Sequence, residues 1–245
     1  MAAKSAKKIS EKIGNWISAK VREANARGVV FGMSGGVDSS VTAVLAERAL
    51  EGKALGLVMP CESDTKDLAN ARLVAEKFSI RTQYVDLTPV FQMLKKTLPD
   101  SDEKTLGNLK ARLRMTTLYH FANKNNYLVL GTSNKSEIAI GYFTKYGDSG
   151  ADILPLGDLY KTQVIELAKH LGIHDEIIKA APTAGLWKGQ TDEQEIWMDY
   201  PTLDSILEAA EMGRDAEAGR ENILRVKELV KGSTHKRQMP EVCKI

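Results

Sequence analysis

The fold of this chain is decided by the stretch GVVFGMSGGVDSSVTAVLAERALEG, residues 28–52. Its opening apolar run, GVVFGMS, predicts a buried strand, and SVTAVLAERALEG predicts a helix that ends at Gly52. The glycine-rich segment SGGVDSS, which begins at Ser34, joins the two. A strand, a glycine-rich loop and a helix in this order form the first half of a βαβ unit.

The same alternation of strands and helices continues after residue 52. The sequence predicts strands in KALGLVMP, RTQYVDL and NYLVLGT, with helices through ANARLVAEKF and residues 105–126 between them. Short strands separated by helices of about ten residues or more are typical of a parallel sheet with helices on both faces. We therefore predict a doubly wound α/β fold with a mostly parallel sheet.

No internal repeat and no Pro/Gly/Ser-rich linker divides the chain, so we expect a single domain over residues 1–245. An amphipathic helix, residues 5–27, precedes a core of about residues 28–172, and a flap with C-terminal helices occupies residues 173–245. Residues 192–217 carry nine acidic side chains against one basic, and we expect them to form a solvated helical face.

Composition excludes several classes of protein. The chain has 34 Lys and Arg against 32 Asp and Glu, and this net charge of +2 gives no reason to expect a nucleic-acid partner. No apolar run reaches the length of about 18 residues that a membrane span needs. The basic N-terminus lacks the apolar segment of a secretory signal, so we expect a cytoplasmic protein with no membrane partner. Cys61 and Cys243 are too few for a disulfide framework or a cysteine-based metal cluster.

The glycine-rich loop lies at the carboxyl end of the first predicted strand, where open parallel sheets bind ligands. Gly35 and Gly36 let backbone N–H groups approach an anion, and the following helix N-terminus adds the positive end of its dipole. Ser34 and Ser39 offer hydroxyls to phosphate oxygens. Asp38 would repel a phosphate unless a cation lay between them, and Mg²⁺ satisfies that requirement. The alternative is a plain strand-to-helix turn with capping residues.

Three later segments carry further chemistry. Asn108 and Arg112 lie four residues apart and share a helix face, where an amide and a guanidinium suit a phosphate or carboxylate. Residues 130–161 run from the end of the fourth strand through a glycine-rich loop in which aromatic, basic and acidic side chains are concentrated. Within this second segment, Glu137 near a helix start is a candidate second carboxylate for Mg²⁺, and Tyr142 offers a planar surface to an aromatic ring.

The third segment, residues 181–195, predicts a mobile flap, and a surface turn is the alternative. Pro182 and Gly185 interrupt regular structure, Trp187 is large enough to cover a site, and Gly189 permits motion. A flap fits a reaction in which water has to be kept from an activated intermediate.

The Ser34–Ser39 loop resembles the SGGxDS loop of ATP pyrophosphatases, which holds the leaving pyrophosphate of ATP. Together with the three later segments and the tail HKRQMP, residues 235–240, it makes the chain resemble ammonia-dependent NAD synthetases. This resemblance implies an adenine nucleotide alpha-hydrolase-like fold. It also implies a ligase that adenylates the nicotinate carboxylate of deamido-NAD with ATP and amidates it with ammonia, giving NAD⁺, AMP and pyrophosphate. The family is homodimeric, with the dinucleotide site at the subunit interface.

The resemblance also assigns residues. For ATP it implies the loop Gly32, Met33, Ser34, Gly35, Gly36, Val37, Asp38 and Ser39, with Thr132, Lys161 and Thr183. For Mg²⁺ it implies Asp38 and Glu137. For deamido-NAD it implies Arg112, Lys145, Asp152, His235 and Lys236, to which the chemistry described above adds Asn108 and Tyr142. We expect Asp38, Glu137 and Lys161 to stabilise charge during catalysis, and we hypothesise that Asp148 binds ammonium and takes a proton from it.

Two other classes remain as alternatives. A tRNA-modifying pyrophosphatase would want a basic patch and often a CxxC pair, which the sequence lacks. A nucleotide-binding module without catalysis would not need both carboxylates and a flap. Only about one helix precedes the ATP loop, so we expect no amidase domain and free ammonia as the nitrogen source. Relatives often carry Gly where this chain has Trp197, and Met59–Ser63 also differs from some relatives, so the adenine contacts there stay unassigned.

Overall fold

A computed structural model describes residues 3–244, with side chains from residue 5 onwards. Within this range a sheet of four strands forms in the spatial order β3-β2-β1-β4. Its strands are β1 (Gly28–Gly32), β2 (Ala54–Val58), β3 (Arg81–Tyr84) and β4 (Tyr127–Val129). Every pairing is parallel, and Val29 of β1 lies opposite Ala54 on one side and Leu128 on the other. The predicted parallel α/β sheet is therefore confirmed.

Helices connect the strands, and seven helices follow β4 in the described part of the chain. The first, α1, ends four residues before the predicted boundary, because the chain turns through Asn25, whose φ is +50°. The helices are α1 (Ala3–Glu23), α2 (Val37–Leu50), α3 (Thr65–Lys77), α4 (Thr88–Thr97), α5 (Glu103–Asn125), α6 (Lys135–Ile140), α7 (Lys161–Leu171), α8 (Asp175–Ile178), α9 (Asp192–Ile196), α10 (Tyr200–Glu211), α11 (Arg220–Gly232) and α12 (Thr234–Arg237).

The sheet is covered by helices on both faces because successive side chains of a strand point to opposite sides. Val29 and Phe31 of β1 belong to a core shared with α1, α2, α3 and α7, whereas Val30 belongs to a second core with α4 and α5. All three side chains are completely buried. A strand buried on both faces reads as a continuous apolar run, which is the pattern that residues 28–32 show.

The order of the strands determines where a ligand site can form. The chain moves outward from β1 to β2 and β3, then crosses back so that β4 pairs with the other side of β1. The loops that follow β1 and β4 therefore leave the same edge of the sheet in opposite directions. In open α/β sheets this switch point leaves a crevice in which ligands bind.

The C-terminal third forms its own apolar cluster around Tyr200 and Leu203, which packs α10 against α6, α9 and α11. The expectation of a solvated acidic face over residues 192–217 is wrong for two residues, since Asp192 and Asp204 are only 3% and 5% exposed. Asp204 accepts hydrogen bonds from the Ser136 hydroxyl (2.5 Å) and the Thr162 N–H (2.9 Å). These donors replace water, which is the condition for burying a carboxylate.

Among the described residues, no helix combines the length and apolarity that crossing a membrane requires.

Trp197 ends α9 in the left-handed region, with φ +73°, and its side chain is 77% exposed. This conformation costs a residue with a Cβ about 1 kcal/mol or more, and glycine would avoid that cost. The Arg225 guanidinium lies 5.6 Å from the ring centre and recovers part of that cost.

We expect Trp197→Gly to be more stable than Trp197→Ala by about 1 kcal/mol, because only glycine relieves the backbone strain. Both variants lose the contact with Arg225, so the pair isolates the backbone effect. Chemical denaturation of the two variants measures the difference. Equal midpoints and slopes for the two would contradict this explanation.

Candidate active site

The loop after β1 has the geometry of an anion-binding loop. Gly35 has φ +87°, and a Cβ there would lie 2.1 Å from the Asp67 carbonyl oxygen, so no other residue fits. Gly36 is the N-cap of α2 and offers no side chain to the first N–H groups of that helix. Uncapped N–H groups at a helix start are donors for phosphate. The Ser34 hydroxyl, bonded to the Ser39 hydroxyl at 3.0 Å, faces the same cavity.

Lys161 lies at the centre of a buried charged cluster. It is the first residue of α7, and its ammonium contacts the Asp38 carboxylate directly and Glu137 Oε1 at 3.4 Å. Asn134 donates from Nδ2 to the other oxygen of Asp38 at 3.0 Å. The Tyr200 ring covers the ammonium at 5.1 Å. The structure thus brings together Asp38, Glu137 and Lys161, which the sequence predicts to act together.

Burial and charge set the protonation of this cluster. Burial raises the pKa of Glu137 to about 8, with Lys161 opposing the shift and Asp38 adding to it. Burial by itself would lower the pKa of Lys161, but the Asp38 and Glu137 carboxylates outweigh it and raise the pKa above its usual value. Lys161 therefore stays charged at every pH at which an enzyme of this kind works.

Glu137 and Lys161 owe their positions to local capping. Asn134 caps α6: its side chain accepts from the Glu137 N–H at 3.0 Å, and Glu137 Oε2 accepts from the Asn134 N–H at 3.2 Å. This reciprocal pair is a capping box. The Ser136 hydroxyl accepts from the Lys161 N–H at 2.9 Å while it donates to Asp204. The starts of α6 and α7 are thereby fixed to each other and to α10.

A cavity of about 630 Å³ opens at the switch point, a size typical of sites for small ligands. The predicted ATP residues that line it belong to the β1 loop, the segment after β4, α7 and the flap (residues 181–195). They are Gly32, Met33, Ser34, Gly36, Asp38, Ser39, Thr132, Lys161 and Thr183. Gly35 and Val37 belong to the same loop but not to the cavity wall formed by the described residues: the Gly35 position packs against the Asp67 carbonyl, and Val37 belongs to the core that covers one face of the sheet.

The residues predicted for deamido-NAD divide into two groups. Asn108, Tyr142 and Lys236 line the cavity. Asn108 Oδ1 accepts from the Thr144 hydroxyl at 2.7 Å, and the Lys236 ammonium donates to the carbonyls of Gly141 (2.8 Å) and Phe143 (2.9 Å).

The second group, Arg112, Lys145, Asp152 and His235, is not part of the cavity wall formed by the described residues. Three of its members are linked in a row, because Arg112 donates to the Lys145 carbonyl at 3.3 Å and the Lys145 ammonium donates to the His235 carbonyl at 2.5 Å. Asp152 instead accepts from the β4 N–H of Val129 at 2.7 Å and from the Tyr119 hydroxyl.

Asp148 lies in the wall of the cavity and is exposed to solvent. Its Oδ1 accepts from the Thr144 N–H at 2.9 Å, which closes the turn between them. The protein packed around the carboxyl desolvates it and raises its pKa, and the Thr144 hydrogen bond opposes the shift.

Several residues of the site were not identified from the sequence. Asn134 carries a signal that was available, the N-cap residue followed three positions later by Glu137. Arg114 donates to the Met59 carbonyl at 3.2 Å and to the Ser63 hydroxyl at 3.0 Å, and thereby fixes the segment after β2 against the cavity. Asp192, which accepts from the Tyr200 hydroxyl at 2.9 Å, lies in a charge run that gave no indication of burial.

A parallel sheet whose switch point carries an SGGxDS loop and a buried lysine between two carboxylates defines a PP-loop α/β protein. A family model described as NAD synthase matches residues 9–240. The chain therefore belongs to the NAD synthase family, as the sequence motifs predicted.

Individual relatives agree with this assignment. The chain is 46% identical over 238 residues to the NH3-dependent NAD⁺ synthetase of Carboxydothermus hydrogenoformans, which covers 95% of this chain and 96% of that protein. A structure of the NH3-dependent NAD synthetase of Campylobacter jejuni, in complex with the nitrate ion, superposes with a TM-score of 0.86 and 31% identity over the full length of both chains. The NMN synthetase of Francisella tularensis superposes with a TM-score of 0.91 and 36% identity, covering 98% of this chain and 99% of that one.

Proposed function

We propose that this protein is an ammonia-dependent NAD⁺ synthetase. It transfers AMP from ATP to the nicotinate carboxylate of deamido-NAD, and ammonia then displaces the AMP to give NAD⁺. One observation carries the proposal: the Lys161 ammonium is held between Asp38 and Glu137, directly beside the glycine-rich loop. Residues 1–245 are proposed to act as a single domain, which the extent of the family match supports.

The first step needs stabilisation of charge rather than covalent chemistry from the protein. The carboxylate oxygen of nicotinate attacks the α-phosphorus of ATP, the bond to the leaving pyrophosphate breaks, and negative charge builds up on phosphoryl oxygens. The N–H groups at the start of α2, which no side chain caps, and the Lys161 ammonium in the cavity wall would face this charge. A preorganised donor of this kind is commonly worth about 2.7–4 kcal/mol of barrier.

Asp38 and Glu137 are proposed to hold Mg²⁺. Their carboxylates fit that role because they converge on one cation, the Lys161 ammonium, at the wall of the cavity. Within residues 3–244 no three His, Cys, Asp or Glu side chains are arranged as a metal site. Two carboxylates completed by phosphate and water oxygens are a common way for proteins to bind Mg²⁺. When bound, the ion would neutralise charge on the phosphates.

Asp148 is proposed to bind ammonium and to accept a proton from it, because only NH₃ attacks the activated carbonyl. Its place in the cavity wall supports this role, as does the protein packed around it, which raises the pKa of the carboxyl by desolvation. We expect Asp148→Asn to lower the rate at limiting ammonium by about tenfold, the effect of losing one charged hydrogen bond. Steady-state rates over a range of ammonium concentrations test this, with Asp158→Asn, an exposed acid, as the control. An unchanged rate at limiting ammonium would exclude the role.

A homodimer is proposed as the working form. The edge strand β3, helix α4 and its C-cap residue expose the apolar side chains of Tyr84, Val90, Met93 and Leu98, and large exposed apolar side chains are typical of an interface between proteins when they adjoin. The position of Arg112, Lys145 and His235 outside the cavity supports a dinucleotide site that a second copy completes. A cytoplasmic location is supported by the two unpaired cysteines, Cys61 and Cys243.

The proposed reaction is tested by incubating the protein with ATP, Mg²⁺, ammonium and deamido-NAD. We expect AMP and NAD⁺ to form in equal amounts, and we expect the reaction to stop when glutamine replaces ammonium.

The similarity to the NMN synthetase of Francisella tularensis favours a second candidate substrate, nicotinic acid mononucleotide. A parallel assay with that mononucleotide compares kcat/KM for the two. Failure to release AMP in step with either amide product would refute the synthetase assignment.

A further inference from the structure

Lys110 is a buried cation for which the reaction described above has no use. It lies on α5 and is only 7% exposed. Its neighbours Asn108 and Ala111 line the cavity, whereas Lys110 is not part of the wall formed by the described residues. A buried ammonium is costly unless it is paired, so its contacts indicate what it does.

The ammonium of Lys110 connects α5 to two separate loops. Its one hydrogen bond runs to the backbone carbonyl of Leu186 in the flap, at 3.0 Å. Glu62 Oε2, in the loop after β2, lies 3.7 Å away. The Phe91 ring of α4 covers the ammonium at 5.0 Å. The Lys110 ammonium therefore binds the flap by a hydrogen bond and also lies near Glu62 in the segment that follows β2.

The backbone of the flap presents the Leu186 carbonyl to Lys110. Gly185 and Gly189 have φ values of +60° and +80°, which lets the chain bend at both points. Between them the Leu186 N–H donates to Gln190 Oε1 at 2.9 Å, which turns the Leu186 carbonyl towards α5. At the same place α5 has Gly107, where a Cβ would lie 3.0 Å from Leu186 and 3.2 Å from the Trp187 ring. The helix thus has a small residue and a cation where the flap docks.

We propose that Lys110 is a positioning residue that holds the flap over the nucleotide and couples its closure to the loop after β2. This proposal rests on the proposed function, because the flap residues Thr183, Leu186 and Trp187 line the cavity assigned to ATP. A closed flap keeps water from the acyl-adenylate. With the flap released, water attacks the activated carbonyl and the bond to AMP breaks, which regenerates deamido-NAD and releases AMP without forming NAD⁺.

The test uses Lys110→Met, which keeps the apolar stem and removes the ammonium. Trypsin reports on the flap because Lys188 lies within it, and mass spectrometry identifies the fragment that begins at Gly189. We expect cleavage after Lys188 to become about tenfold faster, the effect of losing one charged hydrogen bond. We also expect the ratio of AMP to NAD⁺ formed to rise above one. Lys124→Met, on the exposed last turn of the same helix, should leave both measurements as in the wild type.

Unchanged cleavage and an unchanged ratio in folded Lys110→Met would overturn the proposal. If that variant does not fold, Glu62→Gln alters a partly exposed carboxylate without touching the core, and faster cleavage after Lys188 is again expected. The same cleavage rate in Glu62→Gln as in the wild type would refute the coupling of the two loops. A wild-type protein that forms no NAD⁺ would refute the proposed function, while the cleavage comparison would still test the contact between Lys110 and the flap.

Discussion

Lys161→Met is expected to lower kcat for NAD⁺ formation by about a thousandfold or more, which corresponds to about 4 kcal/mol of barrier. The ammonium lies in the wall of the cavity between Asp38 and Glu137. Its removal takes away the positive charge that is proposed to face the phosphates, and it leaves two carboxylates without their cation. The measurement is a steady-state assay of AMP and NAD⁺ at saturating ATP and deamido-NAD.

Lys169→Met is the matched control, because Lys169 lies on the same helix in an exposed ion pair with Glu166. Exposed pairs contribute little to stability, so this variant should retain wild-type activity.

Lys161→Met is also expected to lose about 3 kcal/mol of unfolding free energy at pH 8, since it leaves buried charge uncompensated. Circular dichroism therefore accompanies the assay. A folded Lys161→Met with activity within tenfold of the wild type would contradict the role of this residue.

The second large effect is on stability as a function of pH. Burial raises the pKa of Glu137 to about 8 in the folded protein, whereas an unfolded glutamate titrates near its usual value of about 4.3. Between these two values the folded protein holds a proton that the unfolded chain has released. The unfolding free energy therefore falls as the pH rises through this range, by up to about 1.4 kcal/mol per pH unit.

We expect the ligand-free protein to be less stable at pH 8 than at pH 6 by about 2 kcal/mol. In Glu137→Gln this dependence should be largely lost, because an amide does not titrate. Glu193→Gln, which alters an exposed acid on α9, should keep the wild-type dependence. Denaturant unfolding at the two pH values measures all three proteins. An equally steep pH dependence in Glu137→Gln would assign the effect to another group.

Mg²⁺ is expected to offset the lower stability of the protein at pH 8, since it binds the ionised carboxylates of the folded state and has little effect on the unfolded chain. The gain should be smaller at pH 6, where Glu137 carries a proton that the ion has to displace. Unfolding midpoints with and without Mg²⁺ at each pH provide the measurement. An equal gain at both pH values would argue against Glu137 as a ligand.

Local signals in the sequence were sufficient for the fold and for part of the site. Residues 28–52 predicted a strand, a loop and a helix, because apolar runs, glycines and helical periodicity act over short distances along the chain. The β1 loop was identifiable for the same reason, since Ser34–Ser39 form one continuous motif, whereas the close approach of Gly35 to the Asp67 carbonyl is visible only in the structure. Lys110 was not identifiable, because its partner Leu186 lies 76 residues away in the chain. Asp192 bonds to Tyr200 only eight residues away, but its burial close to Lys161 depends on tertiary packing.

The sequence by itself determined the parallel α/β architecture, the SGGVDS loop and the assignment to a family. Only the tertiary structure decided that Lys161 lies between Asp38 and Glu137, across separations of 123 and 24 residues. It also decided that Asp192 and Asp204 are buried, and that Arg112 and His235 stay outside the cavity. The physical reason is that burial and charge pairing depend on which distant segments pack together. Periodicity and local motifs carry no information about that packing.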